Sequence, residues 1–275
     1  MRVLVLVLVA GCTAGTTPDS PTESTADPSR FSVEGTLLDL DGGSIEDAFV
    51  TVSTDFCIPD RTAPDGTFEV GEVDPGSKRL ITYGETAANG LFASVAFAFE
   101  ADDQHVFGRP ILLPELVETH PVDPSVDQVI ETADDLTLAV DADTLTLAPF
   151  APSEIQVARV PVEDAPPVVP DEVDLVDLFV LHPILSTIDP PAAVTFPVSD
   201  LPPGTQVTIH ALDYDLGTLV PVAEGVVDDG GRPTTLPGDG IPELTWIGLS
   251  EASQSPPDPC SSSWYSADVR PNPVP

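Results

Sequence analysis

Apolar and polar residues alternate in short runs along most of the chain, and few runs are long enough for a helix. Phe31, Val33 and Leu37 are separated by polar residues, a pattern typical of a strand with one buried and one wet side. Similar runs recur to about residue 250, with turn-forming Gly, Pro and Asp between them. The pattern predicts an all-β protein with two tandem β-sandwich domains, residues 31–113 and 130–250.

Predicted strands in the first domain cover residues 31–37, 48–52, 67–70, 78–83 and 91–99. Asp65-Gly66 and Pro75-Gly76 form turns, because Pro fixes φ at one corner and Gly accepts a positive φ. The run 91–99 is apolar on both faces, which predicts a central strand.

Four groups of residues occur in a recognisable order in this domain: Val33-Glu34-Gly35, Ala48-Phe49-Val50-Thr51-Val52, Pro64-Asp65-Gly66-Thr67-Phe68, and Asp74-Pro75-Gly76 leading to Tyr83. This order resembles the carboxypeptidase regulatory-like domain, a transthyretin-like seven-stranded sandwich. The resemblance implies a fold. It implies no single activity, because such domains serve as spacers, stabilisers and binding modules.

Residues 114–129 are rich in Pro and acidic residues, which predicts an interdomain linker. In the second domain, residues 136–140 and 144–147 flank turn residues and predict a hairpin. Residues 161–174 are Pro-rich and acidic, which favours an exposed extended insertion.

Further strands of the second domain are predicted at residues 155–160, 175–182, 193–196, 206–213, 219–227 and 244–249. Thr195-Phe196-Pro197, Pro203-Gly204-Thr205, the hairpin 214–225 and the Trp246 strand loosely resemble the β domains of the ankyrin and netrin-receptor type. Residues 251–275 are a tail.

At the N-terminus, residues 3–10 form an apolar run behind Arg2 that is too short to span a membrane. Such a run is typical of a signal peptide, here residues 1–11. Val9-Ala10-Gly11-Cys12 resembles the lipobox of bacterial lipoproteins, which implies that Cys12 becomes the diacylated first residue of the mature protein. An ordinary secretory signal with a chance cysteine, or a misassigned start codon, are the alternatives.

Thr, Ser, Pro and Asp dominate residues 13–30, which lack large apolar side chains. Residues 12–30 are therefore expected to be a lipidated, disordered tether. Thr13 rather than Asp follows Cys12, which favours the outer membrane in organisms that use an aspartate retention rule. We expect a cell-envelope protein held to a membrane by its N-terminal lipid, with the face of the membrane left open.

The net charge of the chain limits the kinds of partner that the protein can bind. Asp plus Glu total 46 against 9 Lys plus Arg, a formal net charge of -37. Such a body repels nucleic acid and anionic lipid headgroups, which excludes nucleic-acid binding as a function. A saline setting is the favoured explanation, because salt screens self-repulsion. Weak Ca²⁺ contacts and plain solubility are the alternatives.

Two further cysteines, Cys57 and Cys260, remain once Cys12 is assigned to lipid. An oxidising envelope location favours a disulfide between them, which would pin the tail to the first domain. Two unpaired thiols are the alternative.

Acidic turns in the second domain are a candidate metal site. Asp213, Asp215, Asp228 and Asp229 lie in turns with several glycines and could offer the hard oxygens that Ca²⁺ prefers, so a structural calcium is the one candidate cofactor. The alternative is that Asp and Gly are simply good turn formers. His182 and His210 could meet across a sheet, but no spacing suggests a zinc site.

No nucleophile-elbow, zincin, S-x-x-K or P-loop motif is present, so we predict no catalytic residues and no enzyme. The favoured function is a non-catalytic envelope lipoprotein that binds or holds an envelope protein or polysaccharide. One alternative is a carbohydrate-binding surface protein, in which Trp246 or Trp264-Tyr265 stacks on sugar. Another is an accessory or inactive remnant of a secreted hydrolase.

Overall fold

The computed structural model describes residues 30–53, 57–101 and 105–252. These residues form strands, turns and two short 3-10 helices, Gly84–Thr86 and Val162–Asp164, which confirms the all-β prediction. Within the same residues, no helix is long and apolar enough to cross a membrane. The predicted signal peptide, Cys12, the predicted tether and most of the predicted tail lie outside the described residues.

The first sandwich consists of two sheets that face each other across a shared core. Its strands are β1 (Phe31–Leu38), β2 (Phe49–Ser53), β3 (Cys57–Arg61), β4 (Thr67–Val73), β5 (Gly76–Tyr83), β6 (Val95–Ala101), β7 (His105–Val106) and β8 (Ile111–Leu112). One sheet has the order β4-β1-β7, with β8 also paired to β1, and the other has the order β3-β2-β5-β6.

Alternation along β1 produces this packing as predicted, with Val33 and Leu37 fully buried. Gly35 lies between them, and a Cβ there would approach Phe68 Cζ to 2.5 Å, so the glycine makes room for that ring. The turn before β4 also forms as predicted, because Gly66 has φ +81° and the Thr67 amide donates to Asp65 Oδ1 at 3.1 Å.

The second sandwich is one strongly curled sheet. Its strands are β9 (Glu118–Pro121), β10 (Gln128–Glu131), β11 (Thr137–Val140), β12 (Leu145–Thr146), β13 (Glu154–Arg159), β14 (Leu175–His182), β15 (Thr187–Thr195), β16 (Gln206–Asp213), β17 (Thr218–Val227), β18 (Pro233–Thr235), β19 (Ile241–Glu243) and β20 (Trp246–Glu251). The order is β10-β11-β15-β18-β17-β16-β20-β14-β13-β9, with β12 and β19 also paired to β15.

The two strands at the ends of this sheet, β9 and β10, are consecutive in sequence and are joined by residues 122–127. A short connection can join the first and last strands of a sheet only if the sheet curls until its ends approach. The interior is filled by large apolar side chains, among them Ile155, Phe179, Phe196 and Ile247, all fully buried.

The predicted linker, residues 114–129, differs from the structure. Leu116 is buried in the core of the first sandwich, and its amide donates to the carbonyl of Leu91 at 2.7 Å. Strand β9 then begins at Glu118 and pairs with β13. Leu116 makes its backbone hydrogen bond within the first sandwich, and β9 makes its hydrogen bonds within the second. Val117 is therefore the only residue between the two domains. The two sandwiches abut without a spacer.

The predicted hairpin of residues 136–140 and 144–147 is wrong. β11 pairs with β10 and β15, whereas β12 pairs with β15. The intervening turn is held by the loop after β9, since the Asp143 amide donates to the Pro124 carbonyl at 2.6 Å and the Ala142 amide to Asp127 Oδ1 at 2.8 Å. These bonds direct the chain away from β11.

Two other expectations also need correction. The Pro-rich segment 161–174 is not simply exposed: Val168 is buried, and its carbonyl accepts bonds from the Leu219 amide at 2.8 Å and Thr218 Oγ1 at 3.0 Å. Strand β6, predicted as central, is at the edge of its sheet. Its apolar faces are explained by the second sandwich, which covers it.

Candidate functional site

The contact between the sandwiches centres on one backbone carbonyl. Ser94 O, just before β6, accepts a 2.7 Å hydrogen bond from Trp246 Nε1 and a 3.2 Å bond from the Tyr214 hydroxyl. Ser94 and Trp246 are fully buried. A buried indole N–H requires a partner, so this bond places the start of β20 directly against the first sandwich.

The β16–β17 hairpin adds a second polar contact. Arg79 Nη1, on β5, donates to the carbonyls of Tyr214 and Asp215 at 2.7 and 2.9 Å. The Ala98 amide donates to the Gly217 carbonyl at 3.2 Å, which extends the edge of β6 onto the hairpin. Gly217 has φ +67°, and a Cβ there would lie 2.5 Å from Ala98 N, so only glycine permits the approach.

Apolar packing joins the domains as well. One continuous hydrophobic cluster contains Phe97 and Val95 of β6 together with Leu178, Val180, Leu212, Leu219 and Trp246 of the second sandwich. Domains connected by a large apolar interface move as one unit, whereas polar interfaces leave them mobile. The two sandwiches therefore form a single body.

A half-buried carboxyl group, that of Glu85, lies at the same interface. Burial raises the pKa of Glu85, and the hydrogen bond from Ser94 Oγ acts in the opposite direction. Burial, and secondarily the charge of Glu85, raises the pKa of the Tyr214 hydroxyl far above its ordinary value. The Ser94 hydroxyl has no solvent exposure, so its hydrogen bond with Glu85 is a contact made inside the interface.

An open cleft of about 600 Å³ lies at the start of β14. Arg159 Nε and Nη2 form a forked ion pair with the Asp177 carboxylate at 3.0 and 3.1 Å, and the guanidinium lies 5.7 Å from the Phe179 ring centroid. Burial raises the pKa of Asp177 despite the ion pair. Because the guanidinium is already paired with Asp177, the cleft offers a ligand little unused positive charge.

The four predicted calcium ligands do not come together. Asp213 and Asp215 lie before β17, and Asp228 and Asp229 lie after it, so the length of a ten-residue strand separates the pairs. Asp213 Oδ1 accepts the amides of Asp215 and Leu216 at 2.8 and 2.9 Å, and Asp228 Oδ1 accepts those of Gly230 and Arg232 at 2.8 and 2.9 Å. These carboxylates stabilise turns. Within the described ranges, no three potential metal ligands cluster.

His182 and His210 do not meet, because β20 lies between their strands. His210 Nε2 is 2.9 Å from Ser250 Oγ. Burial lowers the pKa of His182 to about 4 and also lowers the pKa of His210, so both imidazoles are neutral at physiological pH.

Other predicted residues are only partly visible. Cys57 Sγ lies 3.1 Å from Ser53 Oγ, whereas Cys260 is outside the described residues, so their disulfide stays a prediction. Trp246 is fully buried and cannot stack on a sugar; Trp264 and Tyr265 lie outside the described residues. Sequence reasoning missed the contacts of Ser94 and Arg79, whose only signal was the two-sided apolar character of residues 91–99.

Comparison with known proteins gives distant likenesses. No family model matches the chain, and no match was found among curated proteins. The Bacillus anthracis TIE protein is 12% identical with a TM-score of 0.29, over 81% of this chain and 48% of its own length, so the chain spans about half of that protein.

Two further solved structures have similarly low scores. A protein from Bacteroides uniformis ATCC 8492 to which carbohydrate binding is attributed is 9% identical with a TM-score of 0.22, over 80% of this chain and 78% of its own. A variant of BcpA, the major pilin subunit of Bacillus cereus, is 12% identical with a TM-score of 0.22, over 83% of this chain and 60% of its own. At these scores the likenesses carry no argument about function.

Proposed function

We propose that the protein is a non-catalytic lipoprotein of the cell envelope, which serves as a binding or structural module at a membrane surface. The observation that carries the proposal is the fusion of the two sandwiches. Leu116 ends the core of the first, Glu118 begins the second, and Trp246 ties them together through Ser94. A body that does not bend at its middle holds whatever it binds at a fixed distance from its anchor.

The N-terminal sequence supports membrane anchoring. Val9-Ala10-Gly11-Cys12 has the form of a lipobox, and several acyl chains on Cys12 would give stable attachment. A net charge of -37 repels anionic headgroups, so attachment would depend on the lipid alone. The described surface starts at Arg30, so residues 13–29 would connect the lipid to the first sandwich.

Fractionation of cells that produce the Cys12→Ser variant tests the proposal. Wild-type protein is expected in the membrane fraction and is released by detergent, whereas Cys12→Ser is expected in the soluble envelope fraction. Cys57→Ser is the matched control and stays in the membrane. If Cys12→Ser remains membrane-bound, or if mass spectrometry finds no acyl chains on Cys12, the lipoprotein assignment is wrong.

A further inference from the structure

We propose that the gap between β9 and β10, here called the seam, binds an extended basic segment of a partner polypeptide as an additional strand. The seam is bounded by Glu118–Pro121 on one side and Gln128–Glu131 on the other. The inference rests on the proposed binding function and defines the partner by its chemistry.

Both strands have an unpaired edge. Among the residues that the structure describes, β9 pairs with β13 alone and β10 with β11 alone. Each strand therefore presents backbone N–H and C=O groups that have no strand partner. Such edges are templates for the addition of a strand, and the curl of the sheet brings two of them together.

At the two ends of the seam, side-chain hydrogen bonds connect the two strands, and backbone pairing does not. At one end, Gln128 Oε1 accepts a hydrogen bond from the Asp123 backbone N–H, and Gln128 Nε2 donates one to the Asp123 carbonyl, both at 3.3 Å. The side chain thus makes the two bonds that a paired strand would make. At the other end, Glu118 Oε1 accepts the Ala133 amide at 2.7 Å and lies 2.9 Å from His120 Nε2. These side-chain contacts lie at the two ends of the seam, and the backbone edges between them have no strand partner among the described residues.

Apolar side chains flank the open edges. Val117 is 75% exposed just before β9, and Val129 is 60% exposed in the middle of β10. Val126, in the loop between the strands, is also exposed. Exposed valines beside an unpaired edge favour a partner with apolar side chains at alternate positions, because alternate residues of a strand face the same side.

Charge specifies the remaining positions of the partner. Asp123, Asp127 and Glu131 are exposed in β10 and in the loop that joins it to β9, and the sequence has no Lys or Arg between Arg109 and Arg159. Native sheets commonly protect an edge with lysine, and this edge has none. A segment that alternates apolar and basic residues would match both the valines and the carboxylates.

A synthetic peptide of alternating lysine and valine is the probe, tested against the full-length protein by fluorescence anisotropy and hydrogen exchange. Binding is expected to slow exchange of the backbone amides in β9 and β10. The same peptide with N-methyl groups on alternate residues keeps its charge but loses the N–H groups for one edge, so it is expected to bind at least about tenfold more weakly.

Two variants with matched exposure locate the site. Val129→Lys places a positive charge in the seam and is expected to weaken binding by at least about tenfold. Val106→Lys, at a valine that is 58% exposed on the first sandwich, has the same charge change and is expected to bind like wild type.

Several results would overturn the inference. Equal binding of the N-methylated peptide, or equal affinity of both variants, would indicate general attraction to the acidic surface. Amides of β9 and β10 that are already protected before peptide is added would show that another part of the chain fills the seam. Absence of binding would also refute it, and none of these results changes the outcome of the Cys12→Ser fractionation.

Discussion

Trp246 Nε1 donates a 2.7 Å hydrogen bond to the backbone carbonyl of Ser94, although 152 positions of sequence separate the two residues. The same oxygen accepts the hydroxyl of Tyr214. One atom of the first sandwich therefore fixes two strand ends of the second, and unfolding of either domain breaks both bonds. We expect the two sandwiches to unfold together.

Replacement of Trp246 by Phe tests this coupling. The phenyl ring is smaller than the fully buried indole and has no N–H, so the cavity and the lost hydrogen bond together should lower the free energy of unfolding by about 2–4 kcal/mol. Tyr214→Phe removes the longer bond to the same oxygen and should cost less. Urea unfolding followed by circular dichroism measures both, and two separate transitions in the wild-type protein would contradict the coupling.

Glu85 gives the interface a dependence on pH. A carboxyl whose pKa is raised in the folded state contributes stability at low pH, and this contribution is lost as pH rises through the folded pKa. Glu85→Gln keeps a polar group near Ser94 Oγ and removes the ionisation. We expect a higher melting temperature for the variant at pH 7 and no gain at about pH 4.

The control for Glu85→Gln is Glu69→Gln, which removes an equal charge from an exposed position on β4. It measures how much any reduction of the net charge stabilises this acidic chain. Equal effects of the two variants at pH 7 would show that burial of Glu85 is not the cause.

Local pattern predicted most individual strands, because alternation and turn residues act over a few positions. The Val33 strand and the Asp65-Gly66 turn are examples, and both depend on neighbours in sequence. The pairing of strands that are distant in sequence could not be predicted from such local patterns. The predicted hairpin around residue 142 failed because Asp143 is held by Pro124, a contact that no local period reveals.

The contact between the two sandwiches could not be predicted for a related reason. Residues 91–99 are apolar on two faces, which predicts the centre of a sheet, yet the second cover is a separate domain. The acidic turns were equally ambiguous, because a carboxylate that caps a turn and one that binds calcium have the same local sequence. Only the hydrogen bonds that Asp213 and Asp228 accept from their own turns identify them as turn-capping residues and not as calcium ligands.

A comparison of Arg159 with Arg61 measures how burial of the carboxylate changes the contribution of an ion pair to stability. Each guanidinium lies 5.7 Å from a phenylalanine centroid and pairs with an aspartate. The side chain of Asp177, the partner of Arg159, is 9% exposed, whereas that of Asp47, the partner of Arg61, is 54% exposed.

Arg159→Met should therefore lower the free energy of unfolding at neutral pH by about 2 kcal/mol or more, because it leaves a buried carboxylate without its partner. Arg61→Met should cost about 0–1 kcal/mol. The difference should shrink in acid, where the Asp177 carboxyl is protonated, since burial already raises its pKa. Denaturant titrations of both variants at neutral and acidic pH measure this, and equal costs at neutral pH would refute it.

His182 produces the opposite pH dependence from Glu85. Its imidazole is buried on β14 opposite Gln156 of β13, and within the described part of the chain its Nδ1 has no hydrogen-bond partner. Burial lowers its pKa to about 4, so the unfolded chain binds a proton at a higher pH than the folded chain does. The contribution of His182 to stability is complete above the unfolded pKa and is lost as pH falls from about 6.5 towards 4, by about 1.4 kcal/mol per pH unit.

His182→Leu removes this titration, so the gap in unfolding free energy between wild type and variant should shift in favour of the variant as pH falls through that window. Gln156→Leu is the matched control, because it replaces the facing buried polar side chain with one that also does not titrate. Its effect should stay nearly constant from pH 6.5 to 4. Urea denaturation at half-unit pH steps measures both gaps, and parallel pH profiles for wild type and His182→Leu would show that the imidazole takes up its proton in the folded state.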